Sequence, residues 1–245
     1  MKQGYYTVAE NTPLAANVFR MRLSGETSAI TAPGQFINIR LDGYYLRRPI
    51  SVCDWDENTV TIIYKVLGQG TKYMTTLLPG DALDVLSGLG NGFDMTEAGD
   101  APLLLCGGVG TPPMYGLAKR LLALGKKVSV ALGFNTAADV FYDKELCDLG
   151  AEVKVATADG SCGVRGFVTD AADDFAPSFY YACGPEPMLK AVWKALPCSG
   201  QLSFEERMGC GFGACMGCTC KTLTGYKRIC KDGPVLRKEE ILWDD

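Results

Sequence analysis

The residues best suited to chemistry in this chain are the cysteines near its C-terminal end. The stretch "ERMGCGFGACMGCTCKT" carries Cys210, Cys215, Cys218 and Cys220, separated almost entirely by glycine, alanine and methionine. The first three have the spacing C-x4-C-x2-C, with a further cysteine later in the chain, which is the ligand spacing of plant-type 2Fe-2S clusters. Small residues between the ligands let the backbone wrap a cluster and point N–H groups at its sulfurs. The spacing therefore predicts one-electron chemistry at a 2Fe-2S centre.

Structural zinc on four cysteines is the main alternative for this segment. Such sites usually combine two C-x2-C pairs, whereas only Cys215 and Cys218 form one here. Cys220 follows Cys218 by two residues, and we expect it to pack near the centre rather than to be a ligand. The chain has 11 cysteines and no histidine. The absence of histidine excludes Ser-His-Asp and Cys-His catalysis, histidine-bound zinc and Rieske clusters.

The composition is that of a globular chain without a basic tract. Of its 245 residues, 47% are hydrophobic and 29 are glycine, and the formal net charge is −4. Scattered Lys and Arg argue against nucleic acid or an anionic membrane as a partner. Residues 1–11 lack an apolar leader, and no apolar run approaches the roughly 18 residues that span a bilayer. We therefore expect a cytoplasmic chain, whose cysteines are ligands or redox groups rather than disulfides.

Three segments must position these groups. Residues 1–99 contain short β-rich runs separated by turn signals, which is typical of a small antiparallel barrel or sandwich. Residues 100–200 alternate buried strands with helices, which indicates a parallel α/β sheet. Residues 201–245 begin in the strand-like "GQLSFEERM" and contain the cysteine-rich tail. The predicted fold class is α+β multidomain, with a β-barrel, an α/β domain and a C-terminal cysteine-rich subdomain.

Two glycine-rich turns end predicted strands of the α/β segment. In "LLLCGGVGTPPMYG" the glycines lie between an apolar strand and a helix, where backbone N–H groups and the helix N-terminus can approach a pyrophosphate. "YYACGPEPM" ends the last predicted strand, and ligands of open α/β sheets bind at the C-terminal strand ends. Each turn alone also fits an ordinary strand-to-helix connection. The candidate residues of this crevice are Gly107, Gly108, Gly110, Cys183, Gly184 and Pro185.

The β-rich segment has its own candidate for phosphate binding in "YYLRRPISVCDW" and "VLGQGTKYM". Arg48 can pair with a phosphate, Ser51 offers a hydroxyl, and Gly70 and Thr71 open a short helix. The alternative is a solvated arginine pair at the start of a strand. On this motif alone the alternative is favoured.

Taken in order, "RRPIS", "GQGT", "GGVGTPP" and "CGPEPM" resemble the ferredoxin-NADP reductase superfamily. That resemblance covers about residues 1–200 and implies an FAD-binding β-barrel followed by a nicotinamide-nucleotide domain. In that superfamily the Arg-x-x-Ser strand lies against the flavin, although many members carry an aromatic residue where this chain has Ile50. The residues that the resemblance assigns to FAD are Arg48, Pro49, Ile50, Ser51, Ile63, Tyr64, Lys65, Gly70 and Thr71.

The tail "EERMGCGFGACMGCTCKT…KRICKDGPV…ILW" is similar to the family of electron-transfer subunits of class 1B dihydroorotate dehydrogenases. In that family the cysteine before Lys-Asp-Gly-Pro completes the cluster, which implies that Cys230 is the fourth ligand beside Cys210, Cys215 and Cys218. The loop between the third and fourth cysteines is somewhat shorter here than we expect for the family. With the barrel and the nucleotide domain included, the resemblance extends over essentially the entire chain.

This resemblance implies an FMN-containing catalytic partner that oxidises dihydroorotate in pyrimidine biosynthesis, in a heterotetramer of two chains of each kind. Electrons would pass through 2Fe-2S and FAD to NAD⁺, and no catalytic acid or base is expected in this chain. Three alternatives to this interpretation remain. The first is a related flavin and iron-sulfur subunit of another complex, such as a transhydrogenase, a sulfide dehydrogenase or a hydrogenase. The second is a stand-alone flavin reductase, and the third is a zinc-binding interaction protein.

The segment after the second strand of the α/β domain indicates which nucleotide is used. Enzymes specific for NADP place Arg or Lys there to meet the 2′-phosphate. Here the segment reads "GFNTAADVF", which has no basic residue and contains Asp139. A carboxylate repels a phosphate and accepts a hydrogen bond from a ribose hydroxyl, so the sequence predicts NAD as the nucleotide.

Overall fold

The structure is a computed structural model that describes residues 1–243. Its N-terminal part is a closed six-stranded antiparallel barrel with the strand order β1-β2-β5-β4-β3-β6. Alternation builds the barrel wall: in β2, Met21 and Leu23 are fully buried while Arg22 between them is exposed. The elements are β1 (Lys2–Ala15), β2 (Val18–Ser24), β3 (Phe36–Ile39), β4 (Arg48–Trp55), β5 (Thr59–Lys65), α1 (Gln69–Met74) and β6 (Ala82–Leu89).

The second part is a mostly parallel sheet with helices on its faces. Its central strand β7 is buried along its whole length, as expected for a strand covered on both sides. Proline at the start of α2 and α5 occupies positions that have no helical N–H bond to lose. The elements are β7 (Leu103–Gly107), α2 (Thr111–Ala123), β8 (Ser129–Phe134), α3 (Asp143–Asp148), β9 (Glu152–Thr157), β10 (Val164–Arg165), α4 (Val168–Ala172), β11 (Tyr180–Cys183), α5 (Glu186–Ala195) and β12 (Gly200–Ser203).

The cysteine-rich tail begins and ends in that sheet. It contains the hairpin β13 (Thr219–Thr222) and β14 (Gly225–Arg228), followed by β15 (Val235–Arg237). The sheet order is β10-β9-β8-β7-β11-β12-β15, and β15 pairs antiparallel with β12 through Leu202 and Leu236. The tail is therefore a long excursion between two neighbouring strands. The bounds of the tail as a separate subdomain, residues 201–245, stay a prediction, and residues 244 and 245 lie outside the described residues.

Barrel and sheet are joined by a close contact between β4 and α2. A Cβ at Gly116 would collide with the carbonyl oxygen of Cys53, so the helix approaches the strand at backbone distance. Beside this contact Asp54 forms ion pairs with Lys119 and Arg120, and the Arg120 guanidinium lies 3.4 Å from the centre of the Trp55 ring. These contacts fix the position of the barrel against the helix that begins at the glycine-rich turn.

The predicted fold class is confirmed: an antiparallel barrel, a nucleotide-domain sheet and a cysteine-rich tail follow one another along the chain. The strand predicted to begin at Gly200 leads into the tail and also forms an inner strand of the sheet. Among residues 1–243, no helix is long and apolar enough to cross a membrane.

Candidate functional site

The four predicted cluster ligands lie in two pairs. The backbone N–H groups of Cys210 and Cys215 each donate to the other's sulfur, at 3.4 Å in both directions. Cys218 and Cys230 form the second pair, in which the Cys230 N–H lies 3.4 Å from the Cys218 sulfur. The β13–β14 hairpin brings Cys230 back to Cys218, because the N–H of Ile229 bonds to the Cys218 carbonyl. The structure thus places the four cysteines named from the sequence in two hydrogen-bonded pairs.

The backbone around Cys210 favours a thiolate. Burial acts to raise the pKa of Cys210, but N–H groups of Cys215, Phe212 and Ala214 point at its sulfur and lower the pKa to about 6. Gly211 and Gly213 make this wrapping possible, because both have positive φ angles, of 79° and 90°. A thiolate is the form that binds iron.

The two cysteine pairs fit a cluster with two irons. A 2Fe-2S cluster needs two protein thiolates at each iron, and the two pairs supply that number. The donor set therefore fits the predicted cluster.

Cys220 lies on β13 opposite Lys227 and belongs to neither hydrogen-bonded pair. Its side chain packs with the apolar cluster under the tail, and burial raises the pKa of its thiol. Burial also raises the pKa of the predicted ligand Cys230, so the pKa does not separate Cys220 from the ligands. The exclusion of Cys220 from the ligand set stays a prediction.

Arg228 links the two ligand-bearing segments and was not anticipated from the sequence. Its guanidinium donates to the Gly213 carbonyl at 3.0 Å, between the first two ligands, and to both carboxylate oxygens of Asp232, two residues after Cys230. The Asp232 carboxylate also accepts from the Arg228 backbone N–H at 2.9 Å. A basic residue four positions before an acidic one was the sequence signal, but its contact with Gly213 needs the folded tail.

Replacing Arg228 by alanine is expected to loosen this connection and release iron to a chelator about tenfold faster, because groups that hold metal ligands in place typically contribute that much. Lys227→Ala is the matched control, since Lys227 is ion-paired with Glu240 at 2.7 Å and its side chain makes no bond to either ligand segment. The measurement is the loss of cluster absorbance with time in excess chelator. Equal rates in both variants would contradict the role of Arg228.

A cleft of about 510 Å³ opens at the C-terminal ends of the parallel strands, against the barrel. Its walls include both predicted glycine-rich turns, at residues 107–110 and 184–185, together with Lys65 from the barrel. Cys183 is not part of the lining: it is buried, and its carbonyl packs where a Cβ of Gly110 would stand. The two turns therefore line one crevice, whereas Cys183, also predicted for it, lies beneath the lining.

Two further groups were missed by sequence analysis. Thr111, the first residue of α2, follows Gly110 of the cleft lining but is itself fully buried, and its hydroxyl oxygen has no hydrogen-bond partner among residues 1–243. The N-terminus of this 13-residue helix, at Gly110, is the part that an anionic ligand such as a pyrophosphate can approach from the cleft. Glu205 also lines the cleft; although part of its side chain reaches solvent, burial by the surrounding walls raises the pKa of its carboxyl group.

Asp139 lies in the same cleft, in the short turn after β8. Its carboxylate accepts from the backbone N–H of Thr136 at 3.2 Å and from the Thr136 hydroxyl at 3.1 Å. These bonds hold the carboxylate in place at the cleft wall. Its predicted action on a ribose or a phosphate stays a prediction.

The predicted flavin residues occupy the barrel wall rather than the lining of that cleft, apart from Lys65. Arg48 lies against the start of α1, where a Cβ at Gly70 would stand 2.5 Å from a guanidinium nitrogen. The ring of Tyr44, whose hydroxyl bonds to the Gln69 carbonyl at 3.0 Å, lies 5.1 Å from the Arg48 guanidinium. The structure thus places Arg48 beside the turn at Gly70, and these are the two segments of the predicted phosphate site.

The remaining flavin candidates differ in what they can present to a ligand. Pro49, Ile50 and Ser51 follow Arg48 along β4 and are half-buried. The Tyr64 side chain points into the barrel, where its hydroxyl donates to Asn11 at 3.0 Å, so only its backbone is available to a cofactor. Ile63 on the same strand packs instead into the apolar core of the nucleotide domain. Alternation along β5 thus separates these two side chains.

A closed antiparallel barrel, a parallel sheet with glycine-rich turns and a four-cysteine tail define the chain as an oxidoreductase with nicotinamide-nucleotide and iron-sulfur domains. Residues 104–194 match the family model described as an oxidoreductase NAD-binding domain. Residues 205–242 match the model of the iron-sulfur cluster binding domain of dihydroorotate dehydrogenase B. The chain belongs to the family of electron transfer subunits of dihydroorotate dehydrogenase B (NAD(+)).

Similar sequences support this family assignment, and similar solved structures support the fold. The electron transfer subunit of Geobacillus sp. (strain WCH70) is 44% identical, with 99% of each chain covered, and that of Fusobacterium nucleatum subsp. nucleatum is 43% identical, with 96% of each covered. The solved NADH-dependent reduced ferredoxin-NADP oxidoreductase has a TM-score of 0.89 at 30% identity, covering 97% of this chain and 90% of that one. Phthalate dioxygenase reductase, at 20% identity and a TM-score of 0.66, covers 79% of this chain and 64% of that one and shares the fold.

The predictions of the family and of its cofactors, FAD, 2Fe-2S and NAD, are confirmed by these comparisons. The roles of individual residues are supported by the geometry described above and remain predictions.

Proposed function

We propose that this chain is the electron-transfer subunit of a dihydroorotate dehydrogenase and passes electrons from its catalytic partner to NAD⁺. The paired arrangement of Cys210 with Cys215 and Cys218 with Cys230 is the observation that carries the proposal. A one-electron centre has a purpose here only if electrons arrive from, or leave for, a centre outside this chain. The 44% identity to named electron transfer subunits supports the same conclusion.

The flavin supplies the chemistry that joins hydride transfer to single-electron transfer when it is bound. The chain's own residues hold and orient the flavin and the nucleotide. Arg48, seated between Tyr44 and Gly70, is placed to pair with a phosphate of the cofactor. The turns at residues 107–110 and 184–185 leave room at the cleft floor for the nucleotide, and the N-terminus of α2 at Gly110 would hold its pyrophosphate.

The partner in this proposal is an FMN-containing subunit that oxidises dihydroorotate, joined to this chain in a heterotetramer of two plus two, in the cytoplasm. The tail presents Phe212 and Met216 at its surface beside the ligands, 43% and 54% exposed. Apolar side chains exposed around a redox centre suit burial against another protein. The absence of any histidine agrees with a catalytic base that belongs to the partner.

Co-expression with the candidate catalytic subunit tests the proposal. Size-exclusion chromatography with light scattering is expected to show one mixed complex that reduces NAD⁺ when dihydroorotate is added. Separately eluting proteins without coupled turnover would overturn it. The mass of the complex gives the stoichiometry directly.

A second candidate is a subunit of another flavin and iron-sulfur complex. It is favoured by the TM-score of 0.89 to an oxidoreductase whose structure is described in terms of flavin-based electron bifurcation. Identity to that chain is 30%, against 44% to the dihydroorotate dehydrogenase subunits. Reduction of ferredoxin by the purified complex, without a response to dihydroorotate, would favour this candidate.

The wild-type chain is expected to have a higher kcat/KM with NADH than with NADPH, because the Asp139 carboxylate stands at the cleft wall and no basic residue lies in residues 133–141. Asp139→Asn removes the charge and should narrow this preference about tenfold, equivalent to about 1.4 kcal/mol. Steady-state kinetics with both nucleotides and a one-electron acceptor measure the ratio. A wild-type preference for NADPH would refute the predicted specificity.

A further inference from the structure

Asn38 connects the cysteine-rich tail to β3, the barrel strand paired with β4, which carries predicted flavin residues. It lies on β3, is 1% exposed, and stands opposite Pro49 of β4 in the barrel ladder. Its side-chain Nδ2 donates to the backbone carbonyl of Cys210 at 3.2 Å. One side chain therefore reaches from β3, the neighbour of the strand assigned to FAD, to the first residue assigned to the cluster.

The approach of the tail to this amide is close. Gly211 follows Cys210 with a φ of 79°, and a Cβ at Gly211 would collide with the Asn38 Nδ2. The backbone of the tail can rest on the amide only because residue 211 has no side chain. The hydrogen bond and this packing together fix the Cys210 carbonyl relative to β3.

The amide is costly for the barrel alone. Its Oδ1 is buried and has no hydrogen-bond partner among residues 1–243. A buried acceptor without a partner costs about 1–3 kcal/mol, whereas an apolar side chain of the same size would avoid that cost. Stability of the barrel therefore does not explain Asn38, and its bond to Cys210 is what the amide contributes.

We propose that Asn38 is a positioning residue for electron transfer, which holds Cys210 and hence the cluster at a set distance from the flavin-binding strand. This inference rests on the function proposed above. The transfer that it governs moves one electron from the flavin site to the cluster site, or back, with no bond made or broken. In the direction used for the test, NADH is the reductant and supplies two electrons as hydride.

Two substitutions separate the hydrogen bond from the space that Asn38 fills. Asn38→Leu keeps the volume and removes both polar atoms, and Asn38→Asp keeps the shape and replaces the donor with an acceptor facing the Cys210 carbonyl. The matched control is Asn91→Ala. Asn91 also joins the barrel end to the tail, through the Asp232 and Val235 carbonyls at 3.1 Å, but bonds to no predicted ligand.

Each variant is purified with its flavin and cluster and mixed with NADH. Stopped-flow absorbance follows flavin reduction, and freeze-quench EPR follows cluster reduction. In both Asn38 variants we expect an unchanged rate of flavin reduction and shifted g-values of the reduced cluster. We expect the rate of cluster reduction to fall about tenfold, which is a typical effect of removing a group that orients a metal ligand. Asn91→Ala should match the wild type in all three readouts.

Wild-type rates and g-values in both Asn38 variants would overturn the inference. Loss of iron from either would overturn it as well, because the amide would then be needed to build the cluster cage rather than to set its distance. Wild-type protein without flavin or an EPR signal would instead refute the function proposed above, so the two failures are distinguishable.

Discussion

Replacing Cys218 by serine is expected to abolish the reduced-state EPR signal and the bound iron of this chain. Cys218 is 2% exposed and belongs to one of the two cysteine pairs, so its loss would leave one iron of a dinuclear cluster with a single protein thiolate. Iron in such clusters selects soft thiolate ligands, which a serine hydroxyl does not replace. The same loss is expected for Cys210→Ser, Cys215→Ser and Cys230→Ser.

Cys220→Ser is the matched control, because it removes a thiol two residues from Cys218 that belongs to neither pair. Iron analysis, visible absorbance and EPR of the purified proteins measure the outcome. We expect Cys220→Ser to keep its iron and its signal. Loss of the signal in Cys220→Ser together with full retention in Cys230→Ser would show that the fourth ligand is wrongly assigned.

Gly110→Ala is expected to weaken NADH binding strongly while leaving the cluster intact. The added Cβ would collide with the Cys183 carbonyl and stand 2.8 Å from the Gly184 nitrogen, both of which are backbone atoms that cannot rotate away. The start of α2 must then move away from the end of β11, which separates the two turns that line the cleft. Displacement of binding groups by about 1 Å can cost about 100-fold in rate.

The measurement is the rate of flavin reduction at subsaturating NADH, with reduced-state EPR after dithionite as the test of the cluster. Gly4→Ala serves as the control, because its added Cβ would meet no atom closer than 3.8 Å. We expect Gly110→Ala to react about 100-fold more slowly and Gly4→Ala to match the wild type. A wild-type rate in Gly110→Ala would show that the two turns do not grip the nucleotide together.

Local patterns in the sequence predicted the elements that carry the site. The run "VFRMRLS", which coincides with β2, is typical of a strand because its apolar and polar residues alternate with the period of a half-buried strand. The glycine-rich turn before α2 was found because strand, glycines and proline stand next to one another in the chain. The cysteine spacing gave three ligands for the same reason.

Contacts between distant parts of the chain were out of reach of such patterns. The pairing of Cys218 with Cys230 depends on the β13–β14 hairpin, and the bond from Asn38 to Cys210 joins residues 172 positions apart. Neither contact changes the local periodicity from which strands and helices are read. The family resemblance supplied Cys230, whereas Asn38 and Thr111 required the folded chain.

The return of the tail to the sheet at β15 ties the iron site to the folding of the nucleotide domain. Both ends of the cysteine-rich excursion are anchored in adjacent strands, with β15 beginning five residues after Cys230. Iron that binds only the folded tail also stabilises the pairing of β12 with β15, by mass action. Loss of iron is therefore expected to weaken the pairing of β12 with β15, and a sheet edge that opens there would be exposed to proteases and to aggregation.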